Sequence, residues 1–373
     1  MPTPTTRRHP APIDGPPASP KRIDDTRITE ITELVPPAHL LREFPASERA
    51  AATTFETRQA IHRVLHGADD RLLVVVGPCS IHDYDAAIDY ATRLAAMRSE
   101  LAESLIVVMR VYFEKPRTNV GWKGLINDPH MNDSYDIPTG LRVARRLLLD
   151  VGNFGLPAAT EMLDPILPQY MSDLVSWAAI GARTTESQTH RELASGLSMP
   201  VGFKNGTDGG LEVAINGMLS AAHPHRFLGV DGFGRVAIVQ TSGNPEGHLV
   251  LRGGSGGPNY DAEAVQKAVL SLRAAGVIPH MIVDCSHDNS GKNHERQPDV
   301  LDEVARQITS GSRHIIGVMI ESNLVGGRQA LNPDRSKLVY GQSITDACVD
   351  FATTEAMLGQ LADASRRAQA RAA

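Results

Sequence analysis

Eight apolar, β-rich stretches recur along the chain at fairly even spacing, and segments with helical periodicity lie between them. The pattern predicts strands at about 72–77, 104–112, 157–161, 177–182, 200–204, 248–252, 280–284 and 314–320. Several stretches, such as VVV, IVVM and IIGVMI, are continuously apolar, which is typical of parallel strands buried on both faces. The alternation therefore predicts an α/β fold, a (β/α)₈ TIM barrel.

Other segments depart from this repeating pattern. Residues 1–22 are rich in proline and predict a disordered tail. Residues 23–47 carry scattered apolar anchors, which predict an extension that docks on the body or on a neighbouring subunit. The barrel is predicted over 48–365, with Ser47 as N-cap of its first helix and a final helix from about 343. Two alternating runs at about 226–241 predict a β-hairpin inserted before the sixth barrel strand.

Composition narrows the class of protein. The 373 residues are 42% hydrophobic and 21% charged, which is typical of a soluble globular chain. No apolar run is long enough to span a membrane, and the first residues lack the apolar core of a secretory signal. Three cysteines, an odd and low count, predict a reducing, cytoplasmic location without a disulfide framework. The net charge of −6, without long basic runs, argues against a nucleic-acid partner.

Positively charged residues stand at or just beyond the ends of several predicted strands. In a (β/α)₈ barrel these ends meet in one mouth, where the active site lies. Any one of these cations alone is equally well explained as a surface charge. Together, in equivalent positions, they indicate a site for two phosphates, or for a phosphate and a carboxylate. They are Arg110, Lys115, Arg117, Arg183, Lys204 and Arg252.

Metal-ligand residue types follow other strands. Cys79, His287, Glu321 and the later Asp346 are candidates to hold one divalent ion. This mixture of sulfur, nitrogen and oxygen differs from a Cys-rich structural zinc site and leaves room for a substrate oxygen. If the chain did not form a barrel, Cys79 would be better explained as a small buried side chain and His287 as a loop histidine held by local hydrogen bonds. The Gly-rich segments match no phosphate-binding loop and are better explained as tight turns, so a metal enzyme acting on phosphorylated acids is the favoured interpretation.

Long motifs identify a family. The segments are GPCSIHD, VMRVYFEKPRTNVGWKGLINDPHMN, GARTTESQTHRELASGLSMPVGFKNGTDG, HLVLRGG, DCSHDNSGK and YGQSITDAC. They resemble the class I 3-deoxy-D-arabino-heptulosonate 7-phosphate (DAHP) synthases of the large, feedback-regulated microbial type, from about residue 24 to the C-terminal helix. The resemblance implies condensation of phosphoenolpyruvate with erythrose 4-phosphate, the first step of the shikimate pathway. It also implies a regulatory N-terminal extension and a homodimer or homotetramer.

The resemblance assigns roles to individual residues. The implied metal ligands are Cys79, His287, Glu321 and Asp346, for Mn²⁺, Fe²⁺, Co²⁺ or Zn²⁺. The implied phosphoenolpyruvate contacts are Arg110, Lys115, Arg183, Lys204 and Arg252, with Glu161 nearby. The implied erythrose 4-phosphate loop is Lys115, Pro116, Arg117 and Thr118. The catalytic residues are expected to be Cys79, Lys115, Arg183, Lys204 and His287.

Two alternative functions stay open at this point. One is the related 3-deoxy-octulosonate 8-phosphate synthase, against which the Lys-Pro-Arg-Thr motif and the extension argue. The other is a non-catalytic barrel that binds aromatic amino acids and regulates a partner. Such a protein would not need to keep every catalytic charge, whereas all those expected are present here.

The resemblance also implies an aromatic amino acid effector. The positions that match the family's effector pocket are Asp25, Pro168, Gln169, Leu193, Leu197, Ser198, Phe227 and Gly229. Packing of the extension explains the same residues equally well. In this family the position of Gly229 tends to be Ser in phenylalanine-sensitive members and Gly in tyrosine-sensitive ones. The stretch DDTRITEITELVPPAHLL looks more like phenylalanine-sensitive members, but Gly229 is expected to touch the ligand, so inhibition by tyrosine is predicted.

Overall fold

The computed structural model describes residues 23–117, 121–332 and 334–372. The chain divides into two compact units, Met1–Val35 and Pro36–Ala373. In the first unit the described segment, 23–35, contains neither helix nor strand. The predicted tail at 1–22 lies outside the described residues, and the predicted domain boundaries stay predictions.

The second unit is built on a closed barrel of eight parallel strands. The strands in chain order are β1 (Leu72–Gly77), β2 (Leu105–Arg110), β3 (Ala158–Glu161), β4 (Val175–Ile180), β5 (Val201–Lys204), β6 (Arg226–Val230), β7 (Val236–Gln240), β8 (Gly247–Leu251), β9 (Met281–Asp284), β10 (Ile315–Glu321), β11 (Val325–Arg328) and β12 (Gln342–Ser343). Around the barrel the order is β1-β2-β3-β4-β5-β8-β9-β10, and β10 pairs with β1 to close it. The predicted (β/α)₈ barrel is therefore confirmed.

Helices follow the strands and cover the barrel. They are α1 (Pro37–Glu43), α2 (Glu48–Leu65), α3 (Tyr84–Glu100), α4 (Ile137–Asn153), α5 (Pro168–Met171), α6 (Gln188–Gly196), α7 (Glu212–Ala221), α8 (Ala262–Ala274), α9 (Gln297–Thr309) and α10 (Phe351–Ala372). Among the described residues, no helix is both long and apolar enough to cross a membrane.

Local sequence explains where α2 begins and why it packs against the barrel. The Ser47 side chain accepts a hydrogen bond from the backbone N–H of Ala50, which is the N-cap that the sequence predicts. Buried side chains of α2, among them Ile61 and Leu65, join a core cluster that includes Trp177 inside the barrel. Because apolar burial is the main stabilising contribution, this contact fixes α2 to the barrel.

A buried histidine lies beside Trp177. His248 Nε2 accepts a hydrogen bond from Trp177 Nε1 at 3.0 Å, so the ring is neutral and its proton is on Nδ1. Burial lowers the pKa of His248 to about 4. Since the unfolded chain binds a proton here near pH 6.5 and the folded chain does not, stability is lost as the pH falls from about 6.5 toward 4.

The hairpin lies where the pattern predicts it, between the fifth and sixth barrel strands. Strands β6 and β7 pair antiparallel, with Leu228 opposite Ile238. The side chains of Leu228, Val236 and Ile238 are 83%, 84% and 77% exposed, so one face of this hairpin is an uncovered apolar surface.

The chain before the last helix differs from the prediction. Helix α10 begins at Phe351 rather than near 343, because the preceding residues make other contacts. Ser343 belongs to β12, and the Thr345 hydroxyl lies 2.7 Å from the Ser80 hydroxyl beyond β1. Asp350 accepts a hydrogen bond from the Thr353 backbone N–H at 2.7 Å. This stretch therefore extends across the carboxyl ends of the strands, where Asp346 is located.

Candidate active site

Three of the predicted metal ligands meet at the carboxyl ends of the strands. Cys79 lies just beyond β1, Glu321 ends the neighbouring strand β10, and Asp346 lies in the stretch before α10. Ligand atoms of the three residues all lie within 4.8 Å of one another. Cys79 and Glu321 are fully buried, whereas the Asp346 side chain is 63% exposed. The arrangement offers one sulfur and two carboxylates around a common point that solvent reaches from one side.

His287, the fourth predicted ligand, lies at the edge of this cluster rather than within it. Its Nε2 is 3.8 Å from Glu321 Oε1. Its Nδ1 is 2.9 Å from Asp284 Oδ2, close enough for an ion pair but in a direction that makes no hydrogen bond. The backbone of His287 has a φ of 51°, a conformation that is uncommon for a residue other than glycine.

Lys115 brings a positive charge to the cluster. Its Nζ lies 3.0 Å from Cys79 Sγ and 3.8 Å from Asp346 Oδ2. Burial, and next the Glu321 carboxylate, raise the pKa of Cys79 to about 12. Burial of Lys115 opposes its charge, but Cys79 and Glu321 outweigh this effect and raise the pKa of Lys115. Because the thiolate is the form that binds metal, Cys79 requires further positive charge beside it to lose its proton.

Glu321 is held by three neighbouring groups. Arg110 Nη2 donates to Glu321 Oε1 at 3.0 Å, and the Ser286 hydroxyl donates to Oε2 at 2.9 Å. The side-chain amide of Gln297 donates to the backbone C=O of Glu321 and accepts from its backbone N–H, each at 2.9 Å. Burial favours the neutral acid, but His287 and Arg110 outweigh it and lower the pKa of Glu321. The carboxylate is therefore charged and fixed in direction.

Two more predicted cations are paired with acidic residues. Lys204 Nζ lies 3.1 Å from Asp284 Oδ2, and both side chains are buried. Arg252 Nη1 lies 2.7 Å from Asp288 Oδ2. Burial opposes the charge of Asp284, but the nearby His287 and Lys204 lower its pKa. Both cations point from strand ends into the mouth, and their partners hold them there.

The remaining predicted cations are less constrained. Arg183, after β4, is exposed, and within the described ranges it makes no ion pair or hydrogen bond. Arg117 Nε donates to Trp122 O at 2.8 Å. Burial opposes the charge of Asp346, but Lys115 and His287, with a smaller contribution from Arg117, lower the pKa of Asp346. Pro116 is half-buried between Lys115 and Arg117, and Thr118 lies outside the described residues.

An acidic pair lies on the β3 side of the mouth. Glu161 ends β3, and its Oε1 is buried with no hydrogen-bond partner in the described part of the chain. A Cβ at Gly181 would lie 2.2 Å from this oxygen, so any larger residue at 181 would displace the Glu161 carboxylate from this position. Glu114 accepts a hydrogen bond from the Asp164 backbone N–H at 3.2 Å, and burial raises its pKa to about 8.

Several residues of the mouth carry no signal in the sequence pattern. Asp284 ends β9 and contacts both Lys204 and His287. Gln297 begins α9, far along the chain from the Glu321 peptide groups that it binds. Only the position of Asp284 at the end of a predicted strand could have pointed to it.

The predicted effector residues lie on three neighbouring elements and on the first unit. Pro168 and Gln169 are in α5, Leu193 is in α6 with Leu197 and Ser198 directly after it, Phe227 and Gly229 are in β6, and Asp25 is in the segment 23–35. The Ser195 and Thr241 hydroxyls, 2.7 Å apart, connect α6 to the base of the hairpin. Ala38 N donates to Gly232 O at 2.7 Å, which ties α1 to the hairpin turn, and α1 also contacts α5.

Comparison with known proteins identifies the family. The model of the DAHP synthetase I family matches residues 43–359. The chain belongs to the DAHP synthetase I family. A phospho-2-dehydro-3-deoxyheptonate aldolase of Escherichia coli (strain K12), described as Phe-sensitive, is 59% identical over 341 residues, which are 91% of this chain and 97% of the relative. A Tyr-sensitive one from the same strain is 54% identical over 339 residues, 91% of this chain and 95% of that relative.

A solved structure extends the likeness to the fold. The phospho-2-dehydro-3-deoxyheptonate aldolase from Francisella tularensis SCHU S4 superposes with a TM-score of 0.89 at 49% identity. The match covers 91% of this chain and 99% of that one. The family that the sequence motifs predict is thus confirmed along most of the chain.

Proposed function

We propose that this chain condenses phosphoenolpyruvate with D-erythrose 4-phosphate and water, giving 3-deoxy-D-arabino-heptulosonate 7-phosphate and phosphate. The observation that carries the proposal is the cluster of Cys79, Glu321 and Asp346 at the barrel mouth, with Lys115 Nζ 3.0 Å from the cysteine sulfur. Sulfur and carboxylate ligands beside fixed cations suit a metal enzyme with anionic substrates. The names of the relatives support the same reaction.

The donor set fits one divalent metal ion. Cys79, Glu321 and Asp346 would hold it, with His287 as the fourth ligand. When bound, such an ion supplies Lewis-acid chemistry to a substrate oxygen. Mixed ligands of this kind accept Mn²⁺, Fe²⁺, Co²⁺ or Zn²⁺, and the residues favour none of them.

The cations of the mouth bind and orient the substrates in this proposal. Bringing two phosphorylated molecules together costs electrostatic energy, which fixed positive charges lower. Arg183, which has no acidic partner within the described ranges, is free to pair with a substrate anion. Phosphoenolpyruvate is bound by Arg110, Lys115, Arg183, Lys204 and Arg252, with Glu161 nearby, and erythrose 4-phosphate by Lys115, Pro116, Arg117 and Thr118.

The reaction then joins two carbon atoms and releases phosphate. C3 of phosphoenolpyruvate attacks the aldehyde carbon, and the aldehyde oxygen takes up a proton. Positive charge develops at C2, and water adds there with loss of a proton. The C2–O bond to phosphate then breaks, and the added hydroxyl loses its proton and becomes the ketone oxygen. Lys115 stays protonated because its pKa is raised, so it stabilises negative charge between the two substrates.

Removal of one ligand tests the metal site and the reaction together. Cys79→Ala is expected to lose both the bound metal and turnover, and a chelator is expected to abolish the activity of the unchanged chain. Metal content by elemental analysis and phosphate release by a colorimetric assay measure the two effects separately. A fully active Cys79→Ala protein would mean that the ligand assignment is wrong.

We also propose feedback inhibition by an aromatic amino acid, with tyrosine preferred. The supporting observation is Gly229 on β6, where a Cβ would lie only 2.7 Å from Val239 Cγ2, so a Ser side chain here would displace its neighbour and reshape the surface around it. Titration of activity with tyrosine, phenylalanine and tryptophan tests the preference. Stronger inhibition by phenylalanine or tryptophan would overturn it.

We propose further that the protein is a homodimer or homotetramer of the cytoplasm. Contiguous exposed apolar surface is unusual on a monomer, and the hairpin face of Leu228, Val236 and Ile238 supports a covering subunit. The three free, buried cysteines are consistent with a reducing compartment. Sedimentation analysis of the unchanged protein and of Ile238→Glu tests the assembly. The unchanged protein is expected to sediment as a dimer or tetramer and Ile238→Glu as a smaller species. A monomeric mass for both proteins would contradict the proposal.

A further inference from the structure

Three buried or half-buried asparagines connect the ends of β5, β8 and β9. Asn205, directly after Lys204, is fully buried, and its side-chain amide uses all of its hydrogen-bonding capacity. Its Nδ2 donates to Gly206 O at 2.8 Å and to Gly253 O at 2.9 Å. Its Oδ1 accepts from the Arg252 backbone N–H at 2.8 Å and from Asn259 Nδ2 at 3.2 Å. One side chain thus binds the backbone on both sides of the Arg252–Gly253 peptide.

The other two asparagines continue the connection. Asn259 Oδ1 accepts from the Gly253 backbone N–H at 2.7 Å, and Asn259 N donates to Asn289 Oδ1 at 2.8 Å. Asn289 Nδ2 donates to Leu251 O at 3.1 Å and to Asp284 O at 2.8 Å. The three side chains, Asn205, Asn259 and Asn289, form what we call the asparagine network.

The backbone that the network holds has little freedom to move. Gly253 has a φ of +72°, and a Cβ there would lie 2.7 Å from Asn289 N. The peptide groups lie just beyond the last residue of β8, where strand pairing ends, so side chains must satisfy them if they are buried. Each of these amides binds several backbone groups at the same time. Removing one amide therefore leaves buried backbone groups unpaired and allows the turn after β8 to shift.

The geometry points to the asparagine network as a positioning device that sets Lys204 and Arg252 at the right separation for phosphoenolpyruvate. The side chains of Asn205 and Asn259 make no hydrogen bond to the proposed metal ligands, which are Cys79, His287, Glu321 and Asp346, so their removal is expected to affect phosphoenolpyruvate rather than the metal. The inference rests on the proposed function, in which Lys204 and Arg252 bind phosphoenolpyruvate. Substrate affinity falls when the hydrogen bonds that orient the binding side chains are lost, even though the side chains that touch the substrate remain.

The test is steady-state kinetics of the full chain without an aromatic amino acid. Asn205→Asp keeps the shape and both acceptor positions but removes both donors. It is expected to raise the KM for phosphoenolpyruvate by about 10- to 100-fold, the range typical of lost supporting contacts. The KM for erythrose 4-phosphate and the affinity for Mn²⁺, measured by titration, are expected to stay within about twofold. If Asn205→Asp does not fold, the half-buried Asn259→Ala carries the same expectation.

Asn244 provides a matched control. It is also a buried asparagine, 6% exposed, and the two N–H groups of its Nδ2 are shared among three backbone carbonyls, those of Ala194, Leu197 and Met199. Asn244→Asp is expected to lower the Tm but to leave the KM for phosphoenolpyruvate unchanged. An equal rise in that KM in Asn244→Asp, or a fall in kcat alone in Asn205→Asp, would overturn the positioning role.

Arg252→Gln separates this inference from the proposed function. Weaker phosphoenolpyruvate binding in Arg252→Gln, together with unchanged binding in Asn205→Asp, refutes the network and leaves the proposed site intact. Unchanged phosphoenolpyruvate binding in Arg252→Gln refutes the proposed site itself, and with it the inference.

Discussion

Gln297→Leu is the substitution whose consequence the structure defines most closely. Gln297 is fully buried, and its amide binds both the N–H and the C=O of Glu321, each at 2.9 Å. Leucine has a similar volume but binds neither group. Leaving a buried peptide group unpaired costs about 1–3 kcal/mol, so losing both is expected to cost about 2–6 kcal/mol in the free energy of unfolding. Because Glu321 is a proposed metal ligand, Mn²⁺ affinity is also expected to fall by about 10- to 100-fold.

The assay combines denaturant unfolding at neutral pH with a Mn²⁺ titration of the folded protein. Gln307→Leu is the matched control on the same helix, since Gln307 is also buried and binds one backbone carbonyl, that of Tyr260, at 2.9 Å. It is expected to cost about 1–3 kcal/mol and to leave metal affinity unchanged. A loss below about 0.5 kcal/mol in Gln297→Leu, or equal losses of metal affinity in both variants, would refute the reasoning.

Three further predictions address other parts of the chain. His248→Asn is expected to flatten the loss of stability between pH 6.5 and pH 4, worth up to about 3 kcal/mol in the unchanged protein, in unfolding curves measured across that range; an unaltered slope would assign the loss to other groups. Gly181→Ala is expected to destabilise the folded protein by about 1–3 kcal/mol and to weaken phosphoenolpyruvate binding, because the new Cβ meets Glu161 Oε1. Gly359→Ala, which has open space around it in α10, is expected to stabilise the folded protein by about 0.5–1 kcal/mol. Thermal unfolding and the KM for phosphoenolpyruvate measure these effects, and equal effects in the two variants would contradict both expectations. Gly229→Ser is expected to shift inhibition from tyrosine toward phenylalanine in an activity titration, and an unchanged ranking would remove the steric explanation.

The barrel could be predicted because its signal is local. Continuous apolar strands such as Val74–Val76 and the residues at their ends follow directly from the periodicity, and the strands close into a barrel in sequence order. The start of α10 could not be predicted, because the contact of Thr345 with Ser80 that holds the preceding stretch joins residues far apart in sequence.

The same limit applies to the site. Strand ends and motifs pointed to Cys79, Glu321 and Asp346, which the fold brings together. The side chains that hold them carry no periodic signal, because an amide such as Gln297 or Asn205 acts through backbone groups of distant strands. The roles of these site residues stay predictions until the variants are measured.

The central claim is that the mouth of this barrel joins phosphoenolpyruvate to erythrose 4-phosphate. The most direct measurement is phosphate release by the purified, Mn²⁺-loaded protein with phosphoenolpyruvate and either erythrose 4-phosphate or arabinose 5-phosphate. We predict turnover with erythrose 4-phosphate and little with arabinose 5-phosphate. Phosphate release is expected only when phosphoenolpyruvate and the sugar phosphate are both present. Turnover with arabinose 5-phosphate alone, or no phosphate release with Mn²⁺, Fe²⁺, Co²⁺ or Zn²⁺, would contradict it.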